Sequence, residues 1–340
     1  MRTMTRIIQA MAIASAAFLT TSCVHEWPEV NNNVRLTLTV RHELPWTEYE
    51  YEVDTGTRSG EQEEKWKALY TFRIYHRGET KNPVCTETIV REDLSLADFE
   101  MTMTLPPGEW DIYCWQDMVG EQTAGFYDRS DFSALSHVRP YVGDTDRRDA
   151  FEGCVSVSIP ESIEETVLVN GEISLERPKA KYVFIATDFD KFFKESVNRF
   201  RNLPQRWEEM TPAQREEALK DFSVVVRYPL YMPSVYNMFE ARVTDSWSGV
   251  TYEAKIRPLN SDEAMVGFDY VFMGRQNSGA QVQLALKTPD GKVTGLTSTL
   301  TVPLKRGQIT YVRGKFLTAS VGSGLDIDFS FSGDFNIKVE

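Results

Sequence analysis

From Val34 the chain reads VRLTLTV, which places Val34, Leu36, Leu38 and Val40 on one side and Arg35, Thr37 and Thr39 on the other. This period of two predicts a strand with one buried face. The same alternation returns in LYTFRIY (69–75), FEMTMTL (99–105), VTYEAKI (250–256), QVQLALK (281–287) and LDIDFSF (325–331). Turn chemistry separates these runs: Pro106-Pro107-Gly108 follows one, and Pro289-Asp290-Gly291-Lys292 predicts a tight hairpin between two others. Many short strands with regular turn signals predict an all-β fold built as a sandwich or barrel.

Helical periodicity is confined to one small insertion, near 189–221. Thr211-Pro212-Ala213-Gln214 offers a capping residue, proline at the first helical position and glutamine at N3, followed by REEALKDF. Before it, Phe189, Phe193, Val197, Phe200 and Leu203 recur at spacings of three and four, predicting one apolar helix face that starts near Asp188 or Asp190. The polar face is mixed in sign rather than basic, so the pair is expected to pack on a β-domain and not on a membrane.

Strands predicted around 154–159, 166–169 and 172–176 end at Arg177-Pro178, and AKYVFIAT begins a new one at Ala180. Proline punctuates strand ends because it lacks the donor that a ladder needs. The chain is therefore expected to divide into a β-domain at 34–178 and a second at 179–340 that carries the helical insertion. Asp54 to Lys65 is polar and charged enough to be an exposed loop.

The N-terminus has a different pattern. Arg2 and Arg6 precede an apolar run from Ile7 to Leu19, and Thr20, Thr21 and Ser22 lead to Cys23. This is the layout of a secretory signal over 1–22. The run is shorter than the roughly 20 apolar residues of a membrane span. Leu19-Thr20-Thr21-Ser22-Cys23 resembles a bacterial lipobox, with Leu19 one place further from the cysteine than usual. The expected mature chain then starts at an acylated Cys23 and continues through a tether, 23–33, that contains Pro28 and three asparagines. Acyl chains contribute about 0.8 kcal/mol per buried methylene. The other reading is a conventional signal with an incidental cysteine.

Removing 1–22 leaves 318 residues with 35 basic and 50 acidic side chains, so the formal charge moves from −13 to −15. So acidic a chain is a poor candidate for nucleic acid, whose phosphates require Lys/Arg patches. Apart from Cys23, the cysteines are Cys85, Cys114 and Cys154, which allow one disulfide and one thiol, or three buried thiols. No C-x-x-C pair is present, and the four histidines form no H-E-x-x-H; Pro45 would break a helix after His42-Glu43. No nucleophile elbow, P-loop or dinucleotide fingerprint occurs. Neither cofactor nor catalytic or metal-binding residues are predicted, and the chain reads as no enzyme.

Two weaker signals concern binding. Asp144-Thr145-Asp146 could offer oxygens to calcium, but no EF-hand spacing surrounds it, and a charged loop is the simpler reading. Trp110, Tyr113 and Trp115 lie in one strand and are expected in the core. Trp46, Tyr49 and Tyr51 lie beside Pro45 in charged surroundings and suit a glycan platform on a loop or edge.

The order of these segments resembles the fimbrillin-like outer-membrane lipoproteins of Gram-negative gut and oral bacteria. The residues that carry the resemblance are the lipoprotein start, VRLTLTV, LPPGEWDIYCWQDM, and FYDRSDFSALSHVRPYVGDTDRRDAFEGCVSVSI with its Arg148-Asp149-Ala150-Phe151 stretch. LERPKAKYVFIATD and VPLKRGQITYVRGKFLT add to it, and together they cover most of 34–340. The resemblance implies two transthyretin-like β-sandwich domains and a surface-exposed protein, lipid-anchored in the outer membrane. It further implies pilus assembly, anchoring or adhesion in which proteolysis of an N-terminal segment opens a groove for a strand donated by another fimbrial subunit. Arg35 and Arg41 are processing candidates on that pattern. Strand donation is physically reasonable, since an open sheet edge offers backbone hydrogen bonds and alternate pockets. The alternative function is a glycan-binding outer-membrane lipoprotein of a nutrient-uptake system, with a host or glycan ligand.

Overall fold

The computed structural model describes residues 34–43, 65–94, 96–122, 124–162, 166–203, 206–318, 328–331 and 336–337. The first half contributes strands β1 (Val34–His42), β2 (Trp66–His76), β3 (Cys85–Arg91), β4 (Phe99–Met103), β5 (Gly108–Gly120), β6 (Tyr127–Asp128), β7 (Leu135–His137), β8 (Phe151–Ile159) and β9 (Val167–Leu175). Two sheets face each other here, one ordered β4-β1-β9 and the other β3-β2-β5-β8. Alternation explains the arrangement: Leu36 and Leu38 from β1 meet Phe72 and Ile74 from β2, Ile112 and Cys114 from β5, and Ile173 from β9 in one apolar core. Gly108, at φ +149, opens β5 directly after the two prolines.

The second half opens with β10 (Lys179–Ala186). A broken helix α1 over 189–201 and a helix α2 (Pro212–Leu219) follow. The strands after them are β11 (Ser223–Tyr228), β12 (Met232–Asn237), β13 (Arg242–Trp247), β14 (Val250–Lys255), β15 (Arg257–Pro258), β16 (Ala264–Phe272), β17 (Ser278–Lys287), β18 (Val293–Thr294), β19 (Leu300–Leu304), β20 (Ile309–Gly314), β21 (Asp328–Phe331) and β22 (Asn336–Ile337). One sheet runs β15-β16-β10-β20-β21-β22. The facing sheet runs β14-β11-β17-β18, with β19 also on β17. Tyr182, Phe184, Val226, Val266, Leu284 and Val312 fill the space between them. The sheets approach closely at Gly267, φ +145, where an added Cβ would lie 3.0 Å from Ala254 Cβ and 3.2 Å from Val226 Cγ2. The β10–β16 register shifts beside it, between Phe184 and Ile185. The fold is thus β-rich, with two sandwiches and a small helical insertion.

Between β5 and β8 the chain leaves the first sandwich. There β7 pairs with β12, through Ser136 with Val235 and Leu135 with Tyr236, in a sheet ordered β13-β12-β7-β6. A short 3-10 turn, Asp146–Arg148, leads back into β8.

Several sequence expectations change in detail. The runs 166–169 and 172–176 form one continuous strand, β9, because Gly171 stays in the ladder opposite Leu38. In α1, Phe189, Phe193 and Val197 are buried, whereas Phe200 is 45% exposed. A π-turn over Phe193–Val197 rotates the following residues off the predicted face. Asp188 precedes this helix without capping it; its carboxylate instead accepts from Thr318 N (2.7 Å), Thr318 Oγ1 (2.8 Å) and Leu317 N (3.3 Å). Thr211 and Gln214 do form the reciprocal capping box at α2. The Pro289–Lys292 turn joins β17 to β18, with Gly291 at φ +81. Cys85, Cys114 and Cys154 are all thiols, so no disulfide links them.

Candidate functional site

The site is the slot occupied by β1. Its alternating side chains commit Val34, Leu36, Leu38 and Val40 to the core, each with no more than 1% exposure. Burying an aliphatic side chain of this kind contributes about 1.5–3 kcal/mol. The opposite face carries Arg35 and Arg41, both exposed, and the half-buried Thr37 and Thr39.

What distinguishes β1 from its neighbours is its position. It is the middle strand of its sheet, parallel to β9 from Val34–Val167 to His42–Leu175 and antiparallel to β4 from Leu36–Met103 to Val40–Phe99. It is also the most N-terminal described element. Withdrawing it would leave two facing strand edges with unpaired donors and acceptors, above an apolar floor of β2 and β5 side chains. Such a slot recognises an extended chain by main-chain hydrogen bonds and by pockets at alternate positions.

Gly171, in β9, shapes one side of the slot. A Cβ there would meet Leu38 Cδ1 at 3.2 Å, Val157 Cγ1 at 3.3 Å and Leu36 Cδ1 at 3.7 Å. The signal for this was present in VLVNGEISL, where the apolar alternation of Val167, Val169, Ile173 and Leu175 runs straight through the glycine. The far end is closed by His42. Its Nε2 lies 3.3 Å from Tyr70 Oη, and its ring meets Phe151 edge-on at 5.2 Å. Burial lowers its pKa to about 4, against an opposing pull from Asp98; Arg177 and Arg91 add to the lowering. Next to it, Glu43 N donates to Leu175 O. Arg41 lies over the surface, 3.3 Å from Glu172 and 3.7 Å from Asp98, with about half of each side chain in water. Pairs this exposed contribute little, about 0–1 kcal/mol. They leave Arg41 near the end of the strand and within reach of solvent.

The other singled-out residues fall elsewhere. Cys23, Trp46, Tyr49 and Tyr51 lie outside the described residues. Trp110 and Trp115 are buried, Trp110 donating from Nε1 to Pro106 O and stacking on His76. Asp144 is taken up by Arg257 (2.8 Å) and Lys255 N, and Asp146 by Lys181 and Tyr270 Oη, both at 2.6 Å. Their oxygens therefore serve cations and donors of the chain itself. Among the described residues no group of three or more His, Cys, Asp or Glu side chains is placed to hold a metal. No described helix is long and apolar enough to cross a membrane.

Arg148-Asp149-Ala150-Phe151 proves to be interior. Arg148, 1% exposed, donates to Asp269 Oδ1 (2.9 Å), Val142 O (3.0 Å) and His137 Nδ1 (3.0 Å). Burial and this cation push the pKa of His137 well down. Arg177 Nε donates to Asp149 Oδ2 at 2.9 Å and its guanidinium covers the Phe151 ring. These partners were not readable from spacing, because Arg148 and Asp269 are 121 residues apart.

Comparison with known proteins adds the following. Similar solved structures include the tip fimbrial protein Mfa3 of Porphyromonas gingivalis, at 10% identity over 88% of this chain and 98% of that one, with a TM-score of 0.41. The fimbrial anchor protein Mfa2 of the same organism is 8% identical over 87% and 97%, at 0.40. A candidate cell adhesion protein of Bacteroides eggerthii is 12% identical over 89% and 96%, at 0.42. No curated protein matches the sequence significantly. A family model described as "Family of unknown function (DUF6562)" matches residues 28–340, nearly the whole chain after the signal-like start, and the protein belongs to that family.

Proposed function

We propose that this is a non-enzymatic cell-surface protein of fimbrillin type, anchored in the outer membrane by lipid on Cys23, that assembles with other subunits by β-strand exchange. The proposed organisation is a signal at 1–22, a tether at 23–33, a groove-bearing domain at 34–178 and a second domain at 179–340. One observation carries the reading: the most N-terminal described strand lies between two others and fills the core with alternate side chains, so its loss converts a closed sheet into a receptor for a strand of the same pattern. Cutting after Arg41 would release it together with Cys23 and its lipid and leave His42 as the new N-terminus, so the anchored form keeps the strand and only the cleaved form accepts a donor.

The chain also contains a matching donor. Leu325, Ile327, Phe329 and Phe331 alternate with Asp326, Asp328 and Ser330, as Val34, Leu36, Leu38 and Val40 alternate with polar residues in β1. Residues 328–331 form β21, beyond β20 in the second sandwich. A C-terminal run of this kind, donated by a second subunit, meets the pocket spacing of the slot.

The test is digestion of the folded mature protein with an arginine-specific protease, followed by mass spectrometry and titration with a peptide spanning 325–331. Cleavage after Arg41 and peptide binding only to the cleaved form are expected. Equal binding to the uncleaved form, or none to the cleaved one, overturns strand exchange. The mass of the protein extracted from membranes tests the anchor independently: a chain starting at acylated Cys23 is expected, and an unmodified cysteine removes the lipid from the model.

A further inference from the structure

The segment between β5 and β8 makes a contact set that strand exchange does not use. It leaves the first sandwich after Gly120, packs on the second, and returns at Phe151. Most of it is tied to residues beyond 178, while Arg129 pairs with Asp117 of β5 and Asp149 with Arg177. Phe132 O accepts from Met238 N, and β7 pairs with β12. Tyr141 Oη donates to Asp269 Oδ2 at 2.6 Å, and the Arg148 guanidinium lies 4.0 Å from the centre of the Tyr141 ring while donating to Asp269 Oδ1. Tyr228 Oη brings a third donor to the same buried carboxylate at 2.7 Å. Asp144 N donates to Phe268 O, and its carboxylate engages Arg257. Gly143 lies beneath Tyr252, where an added Cβ would be 2.6 Å from the ring. Just past the return, Glu152 accepts from Tyr236 Oη and Arg306 Nη2.

We infer that residues 124–152 are a strap that locks the two sandwiches into one cooperative unit. Without the strap the halves would be joined by the short link between β9 and β10 and by the ring contacts of Tyr75 and Tyr113 with Phe239 and of Trp115 with Phe272, and two domains with so slight a junction move independently by default. The strap changes this, because the chain enters the second half, returns, and enters it again. Opening either half must break the other's contacts. A buried, fully partnered ion pair fixes one relative placement even where it adds little net stability. For a surface protein held at its N-terminus and engaged further along, a use that rests on the function proposed above, tension passes through this strap as well as through the link.

Hydrogen exchange in graded denaturant on the full chain tests the inference, whatever the outcome of the strand-exchange experiments. In the wild type, the slowest amides of β5 and β16 are expected to open together, with one common equilibrium. In Gly143→Ala, which drives a methyl into the Tyr252 ring, and in Arg148→Met, the two sets are expected to separate by about tenfold, with β16 opening first. Should Arg148→Met fail to fold, Gly143→Ala carries the test, since it changes no charge. Separate openings already present in the wild type overturn the strap, and so do coincident openings in every folded variant.

Discussion

At the residue scale, His42 joins the groove to its surroundings, and its titration gives that contact a measurable signature. Above its ordinary pKa of 6.5 both the folded and unfolded imidazoles are neutral. Between 6.5 and about 4 the unfolded chain takes up a proton that the buried ring, beside Tyr70 and Phe151 and near Arg91 and Arg177, refuses. The contribution is therefore present above 6.5 and lost as the pH falls through that window. His137 has the same sign, whereas Asp117, raised to about 6 by burial, works the other way, adding stability as the pH falls. The informative quantity is then a difference: melting temperatures of wild type and His42→Phe between pH 7.5 and 4.5 should converge as the pH drops if His42 is stabilising when neutral. A pH-independent gap would mean that the ring binds its proton equally in the folded and unfolded chain. None of this was legible in the sequence, where Pro45 after His42-Glu43 only excludes a zinc-binding helix. Burial by partners such as Phe151, more than a hundred residues away, sets the chemistry.

At the scale of elements, strands were the most legible feature and their interruptions the least. The alternation of VRLTLTV gave both the existence of β1 and its buried set, because period two maps directly onto the faces of a strand. The same rule read a break at Gly171 where none exists, since a glycine inside a strand signals a bulge as readily as a close neighbour. The Phe200 miss has another origin, as a single π-turn shifts phase without altering composition. Gly171 also supplies the element-scale prediction. Valine is ordinarily favoured in strands, but here its Cβ would press on Leu38 and Val157 at 3.2 and 3.3 Å. Gly171→Val should cost about 1–3 kcal/mol by overpacking. Because Leu38 and Leu36 of β1 and Val157 of β8 take the strain, and β1 lies nearest the cut, the variant should be cut after Arg41 faster than wild type while β2 and β5 amides keep their protection. Loss of protection across the whole sandwich at the same rate would place the strain in the core instead.

For the whole molecule, the overall acidity conceals a strong asymmetry. Residues 34–178 carry 29 acidic and 14 basic side chains, a net −15, whereas 179–340 carry 19 and 21, a net +2. The half that holds the proposed groove is the charged one, and the half that holds the proposed donor run is nearly neutral. When two copies meet, placing groove halves together sets like charges side by side, and placing the second half of one against the first half of the other does not. Electrostatics therefore disfavours a symmetric pair through the groove halves and favours head-to-tail contact, the geometry that extends into a filament. The rigid strap would preserve that orientation along the chain. A photoreactive residue at Val90, 54% exposed on the edge strand β3, makes this measurable in the cleaved protein. At about 10 mM salt, where screening extends roughly 30 Å, captured peptides of a second copy should come from 179–340. At about 1 M, where it extends roughly 3 Å, the preference should weaken. Captures from 34–178 that are as frequent at low salt as at high salt would show that shape, and not charge, sets the polarity of assembly.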